Sequence, residues 1–192
     1  MIIIKNIEEL EAERKRQIDA WLASGNDASD FILNLNGADL SGANLRGANL
    51  SLANLSGANL SSSDLSWADI NSSNLYKADL SGANLTGADL RWADLWRAKV
   101  IGSNFAMANL RFTSFWRCDL SFADLNFANL SMADFRGATL DGTRLFDDST
   151  EYKFKEGVRV TESQFYQIQL KYGVSVMDGF VINDLEEWQK NS

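Results

Sequence analysis

The chain has 192 residues, 45% of them hydrophobic and 23% charged, and carries a net charge of −8, which suits one domain with a sizeable buried core. Histidine and proline are absent and cysteine occurs once, as Cys118. The commonest general base and transition-metal ligand are therefore missing and an intrachain disulfide is impossible. No catalytic, cofactor or metal site is expected.

The first residues, Met1-Ile2-Ile3-Ile4, are apolar, but Lys5 and a run of glutamates follow at once. They form neither a signal h-region nor a membrane span, so a cytoplasmic location is expected. Asn6 and Glu9 have the spacing of a capping box, and Ile7, Leu10, Ile18, Trp21 and Leu22 fall on one stripe. The pattern predicts an amphipathic helix over 7–24, within an N-terminal cap over 1–30. Its expected work is to cover a first coil where Phe31, Ile32 and the oversized Leu33 break the pattern that follows.

That pattern has a period of five. From Leu35 to Leu145 there are 23 positions five apart, all apolar, mostly Leu with Ile70, Val100, Phe105, Phe115 and Phe135 as variants. Two residues before each centre stands Ala, Ser, Thr or Cys in 22 of 23 cases. A helix would spread a five-residue repeat around its circumference, and a flat strand would alternate it between faces. A chain that bends once per five residues points both positions inward and forms a stacked coil. Asp or Asn precedes the centre in 19 of 23 repeats, as suits residues that hydrogen-bond nearby backbone at turns. Glycine follows the centre by two at Gly37, Gly42, Gly47, Gly57, Gly82 and Gly87, where the bend needs freedom.

The motif Ala-Asp/Asn-Leu-X-X, as in Ala38-Asp39-Leu40-Ser41-Gly42 and Ala88-Asp89-Leu90-Arg91-Trp92, resembles the pentapeptide-repeat family, known from bacteria. The resemblance implies an all-β solenoid over 31–147: a right-handed quadrilateral β-helix with four pentapeptides per square coil. Lys99-Val100-Ile101 departs mildly from the motif without inserting a loop. Core burial alone does not offset the ordering of over a hundred residues. Ladders between coils must contribute, and the open ends need covers.

Beyond 147 the composition changes, and a small α+β appendage over 148–192 is expected. Thr161 with Gln164 and Asn183 with Glu186 mark helix starts. Val174-Ser175-Val176 and Phe180-Val181-Ile182 read as strands of a hairpin about Asp178-Gly179. The stretch Thr143-Arg144-Leu145-Phe146-Asp147 with Thr150 resembles the family's closing turn.

Residues 20 apart should stack on one face. Tyr76, Trp96 and Trp116 then form a column beside Lys77, Arg97 and Arg117, while Trp92 stacks with Phe112 and Arg91 with Arg111. These ten residues make a candidate partner-binding patch at a corner of the prism, since exposed Trp and Arg clusters mark contacts. Asp69, Asp89 and Asp94 lie near enough to blunt its charge. A second, apolar strip is expected from Met107, Phe122, Phe127 and Phe146. Stabilising contact between coils is the plain structural role for the patch. A protein partner or self-association is the functional one, and nucleic acid is a weaker alternative. The function expected is a non-enzymatic protein-interaction scaffold of unknown partner. The alternative, implied by the resemblance, is a DNA-mimicking inhibitor or protector of DNA gyrase. Mimicry needs a dense acidic surface, but residues 31–147 hold 11 Asp against 9 Lys and Arg.

Overall fold

A pentapeptide that follows an Asp or Asn finds an acceptor for every backbone donor, and the coil is the consequence. In the repeat 55–59 the Leu55 N–H donates to Asn74 O, the Gly57 N–H to Tyr76 O and the Asn59 N–H to Ala38 O. The Ala58 N–H closes a β-turn on Leu55 O at 3.0 Å. The remaining donor, the Ser56 N–H, reaches Asn54 Oδ1 at 3.2 Å. Three bonds therefore go to the coils above and below, one to the turn, and one to the Asn or Asp side chain of the preceding repeat. Asp and Asn recur before the centre because their side chains pair the one N–H of the turn that no main-chain acceptor reaches.

In this computed structural model, residues 1–144 and the short segments 158–160 and 180–182 are described. Parallel bridges join residues 20 apart, from Asn34↔Asn54 through Asp124↔Arg144. Four pentapeptides thus make one square coil, as the resemblance implied. We number the sides by their bridging residues. Side one carries 34, 54, 74, 94, 114 and 134; side two 39 to 139; side three 44 to 144; side four 49 to 129. The corners lie between, at the two residues after each centre.

The core is a stack of Leu centres alternating with Ala, buried except for the half-buried Ala128 and Leu140 near its C-terminal end. Phe115 and Phe135 stack at 5.0 Å and 2°, and Phe105 meets Phe115 edge-on at 5.7 Å. Most inward hydroxyls and the thiol are paired with carbonyls, Ser73 Oγ excepted among the described residues: Thr113 Oγ1 donates to Leu90 O and Thr143 Oγ1 to Leu120 O. Cys118 Sγ likewise reaches Leu95 O at 2.8 Å.

Helix α1 spans Ile7–Ala23, and a 3-10 turn follows at Ala28–Asp30. The Asn6 side chain caps α1 by accepting the Glu9 N–H at 2.9 Å. The Glu9 carboxylate accepts from the Lys5 N–H at 2.7 Å, one residue upstream of the usual capping-box donor. The apolar stripe is only partly realised: Leu10 is buried, but Ile7 and Leu22 are exposed.

The cover on the first coil is divided between two elements. Residues 2–5 run as an extra strand, with Asp39 N donating to Ile2 O, Ile4 N to Asp39 O and Asn44 N to Lys5 O. The helix covers the other two sides with polar side chains. The Gln17 amide both accepts from Asn34 N and donates to Asn34 O, and Arg14 donates to Asn49 O. The apolar start of the chain is thus part of the fold, with Ile4 buried. Leu33 takes an ordinary inward place, while Ile32 is exposed.

Strands β1, Val158–Val160, and β2, Phe180–Ile182, pair in parallel. The strand expected at 180–182 is present, but its described partner is the parallel β1, a pairing that a two-residue hairpin turn cannot make. The other expected strand at 174–176, the turn at 178–179, the helix starts near 161 and 183, and the closing turn beyond 144 lie outside the described residues. No helix among the described residues is long and apolar enough to cross a membrane.

Replacing Phe115 by Ala should cost about 3–5 kcal/mol in urea unfolding, because both of its ring contacts are lost. Burial pushes the Cys118 thiol up to about 12, so a thiol reagent at about pH 8 should leave it untouched in the native protein and label it fully in denaturant. The Ser41 hydroxyl and N–H hold Asp39 below the usual carboxylate range, and Ser66 and Arg46 do the same for Asp64. Their contribution to stability is present above the unfolded value near pH 4 and is lost as pH falls through the lower folded value. Thermal midpoints should therefore hold between about pH 5 and 8 and drop below about pH 4. Asp39→Asn/Asp64→Asn, which keeps the accepting Oδ1, should flatten that drop.

Candidate interaction surface

The corner turns position the candidate residues. The third residue of each turn has positive φ while the second does not, the backbone signature of a type II turn. Glycine fills nine of the corners from 37 to 142, but thirteen carry other residues, including Lys77 (φ 57°), Trp92 (62°), Arg97 (58°), Phe112 (60°) and Arg117 (56°). A side chain in this conformation costs about 1 kcal/mol relative to glycine. Eleven of the thirteen are larger than Ser.

The ten expected residues form two clusters instead of one patch. Tyr76, Trp96 and Trp116 stack along the corner between sides one and two, with ring centroids 5.0 and 5.3 Å apart. Lys77, Arg97 and Arg117 lie over these rings at 4.9, 5.3 and 5.1 Å. Trp92 and Phe112 stack at 3.9 Å and 4° on the corner between sides four and one. There Arg111 covers Phe112 at 5.5 Å. The two corners flank side one, whose strand separates them by roughly 10 Å. The split follows from the register: residues 91–92 precede the side-one strand and 96–97 follow it. The expected apolar strip divides as well, with Met107 and Phe127 on the corner between sides three and four and Phe122 on the corner between sides two and three. Phe146 lies outside the described residues.

The charges differ between the clusters. Arg91 is engaged by Asp89 at 2.6 Å. Burial works against ionisation of Asp89, but the Arg91 side chain and N–H outweigh it and hold the carboxyl below its usual range. Lys77, Arg97 and Arg117 enter no ion pair among the described residues, and neither do Asp69 and Asp94. Trp96 is half-buried in its stack, its Nε1 enclosed without an acceptor among the described residues. Trp92 is 61% exposed.

Two features escaped the sequence reading. Arg136, continuing the Tyr76 column, is held by Asp134 at 2.6 Å. The Trp67 indole leans onto Gly87, so close that a Cβ there would stand 2.7 Å from the ring. Phe122 lies over Gly142 in the same way. The signal was available as a large corner residue with glycine twenty positions later. An open cleft of about 690 Å³ between α1 and the first coil, lined in part by Gln17, Trp21, Phe31 and Ile32, lies away from both clusters. Among the described residues no three acidic or cysteine side chains are placed to hold a metal.

No curated protein matches the chain. Among solved structures it is similar to the pentapeptide repeat protein Rfr23 from the cyanobacterium Cyanothece 51142, with 28% identity over 67% of this chain and 60% of that one and a TM-score of 0.31. It is also similar to HetL from Nostoc sp. strain PCC 7120, a pentapeptide repeat protein involved in heterocyst differentiation regulation, with 33% identity over 59% of this chain and 60% of that one and a TM-score of 0.27. QnrB1, a plasmid-mediated fluoroquinolone resistance protein, shares 24% identity over 77% of this chain and 87% of its own, with a TM-score of 0.43. The matches to Rfr23 and HetL span about three-fifths of those proteins' length. The family model for pentapeptide repeats matches eight copies, at residues 34–71, 63–100 and 103–142. With more than half of its residues so matched and four pentapeptides to each coil, the chain belongs to the pentapeptide repeat family.

Proposed function

We propose that this protein is a non-enzymatic scaffold that holds an acidic protein partner against side one and its corner with side two, in the cytoplasm. The observation that carries the reading is the column Lys77, Arg97 and Arg117. Three cations stand one coil apart, about 4.8 Å, on left-handed turn residues where glycine would be less strained. None is in an ion pair among the described residues, and each lies over an aromatic ring. The rings hold the cations at a fixed spacing, so a partner's carboxylates would meet charges already in place. The exposed Trp92, stacked on a half-buried Phe112, supplies an apolar edge on the far corner of the same side, and aromatic residues dominate binding energy.

The gyrase alternative finds less support. Of the nine aspartates at bridging positions, five are in ion pairs, with Lys5, Lys99, Arg91, Arg144 and Arg136. No side carries an unbroken acidic column that would imitate a phosphate backbone.

An affinity capture from the native host, comparing wild type with Lys77→Gly/Arg97→Gly/Arg117→Gly, tests the reading. Glycine relieves the backbone at all three sites, so the variant should melt no lower than wild type. A protein retained by wild type and released by the variant, with retention falling as salt rises, is the expected result. Identical captured sets would overturn it. Gyrase subunits held equally by both baits would favour the alternative.

A further inference from the structure

The large apolar side chains left in solvent are unevenly distributed over the prism. Leu52, Trp67, Trp92, Met107, Phe127 and Met132 are all exposed, and all six lie on the two corners that border side four. The opposite corners hold only Ile101 and Phe122 among the exposed large apolar residues described there. Each of the six occupies a left-handed turn position, so each is retained against a backbone preference for glycine. Between the two edges side four presents only short polar residues: Asn49, Asp69, Asp89, Asn109 and Asn129. The result is a flat strip of five coils with an apolar rim along both long edges.

We infer that side four is the surface on which a second copy of this chain docks, side four against side four, in a two-fold dimer. The charge pattern selects that occupant. Contact between copies brings each surface against its own kind, so a surface that carries a strong net charge repels its own copy. Side four with its corners holds Asp69 and Asp89 against Arg46, Arg91 and Arg111, a balance of one positive charge, and Asp89 and Arg91 neutralise each other. The corner between sides one and two, with Lys77, Arg97 and Arg117, would repel its own copy.

Shape agrees at the N-terminal end. A two-fold axis parallel to the solenoid sets each edge of one copy against the opposite edge of its partner at the same coil height. Leu52 then comes level with Gly47, and Trp67 with Ser72, so that large side chains face small ones. The strip is about 24 Å tall by sheet spacing and roughly 20 Å wide, a footprint of about 500 Å² per copy. Doubled, this is near the lower limit for a specific interface. The dimer should therefore be weak, with its population changing in the micromolar range.

The test is sedimentation of the full chain from about 1 to 200 μM. Wild type should pass from monomer to dimer over that range, and the dimer should persist at about 1 M salt because its contacts are apolar. Leu52→Gly/Trp67→Gly/Met107→Gly should weaken association at least tenfold. If circular dichroism shows that variant unfolded, Met107→Arg, which puts like charges at an exposed edge, should do the same. The variant lacking Lys77, Arg97 and Arg117 should dimerise like wild type, which separates this surface from the cation column proposed for the acidic partner. A wild type that stays monomeric throughout, a dimer dissolved by salt, or a folded edge variant that dimerises like wild type would overturn the inference.

Discussion

The requirement that the backbone donors of a five-residue unit find acceptors governs this structure. Four of the five N–H groups are satisfied by main chain, three of them across coils. The fifth depends on the Asp or Asn of the preceding repeat, as when Asp89 Oδ1 accepts from Arg91 N at 3.1 Å. Four of the 23 repeats put another residue in that place. Lys99 gives no such bond and instead reaches Asp79 on the neighbouring coil at 3.5 Å. The same requirement explains the N-terminal cap, since the first coil has donors and acceptors with no coil beneath them. A strand at residues 2–5 and the side chains of Arg14 and Gln17 stand in for the missing coil.

The inward half of the fold was legible because it repeats. Leu centres, Ala two before them and Asp or Asn between are each set by a single local demand, and the period of five with a stacking distance of 20 follows from them. The cap was less legible because it acts once. Ile2 to Lys5 carry no strand signal beyond their apolar character, and whether they pair with Asp39 and Asn44 depends on a coil some forty residues away. The helix was found from its cap and stripe, yet its hold on the solenoid comes from Gln17 and Arg14, polar residues that an apolar stripe does not reveal.

The surface was legible as columns but not as corners. Counting by 20 paired Trp96 with Trp116 and Trp92 with Phe112 correctly. It did not separate the two stacks, which needs the five-residue offset as well: residues 91–92 turn before the bridging Asp94 and 96–97 after it. Nor does a residue's name disclose a left-handed backbone. Only the positive φ at Trp92 or Arg97 shows that these side chains occupy places where glycine would be easier. The outward residues form a layer in which a corner can change from Gly to Trp while the Leu and Ala beneath it stay as they are.

The 20-residue register has a consequence for how such a chain can change length. Removing one pentapeptide leaves every later repeat able to bend, bridge and bury its centre, but it turns all the following corners by a quarter of the square. Trp116 would then no longer stand above Trp96, and the column of Lys77, Arg97 and Arg117 would be divided between two edges. Only a gain or loss of a whole coil keeps those columns aligned. The fold is thus tolerant of changes in steps of five and its surface only in steps of twenty, so duplication of a complete coil is the route by which this scaffold could lengthen without losing what its corners present.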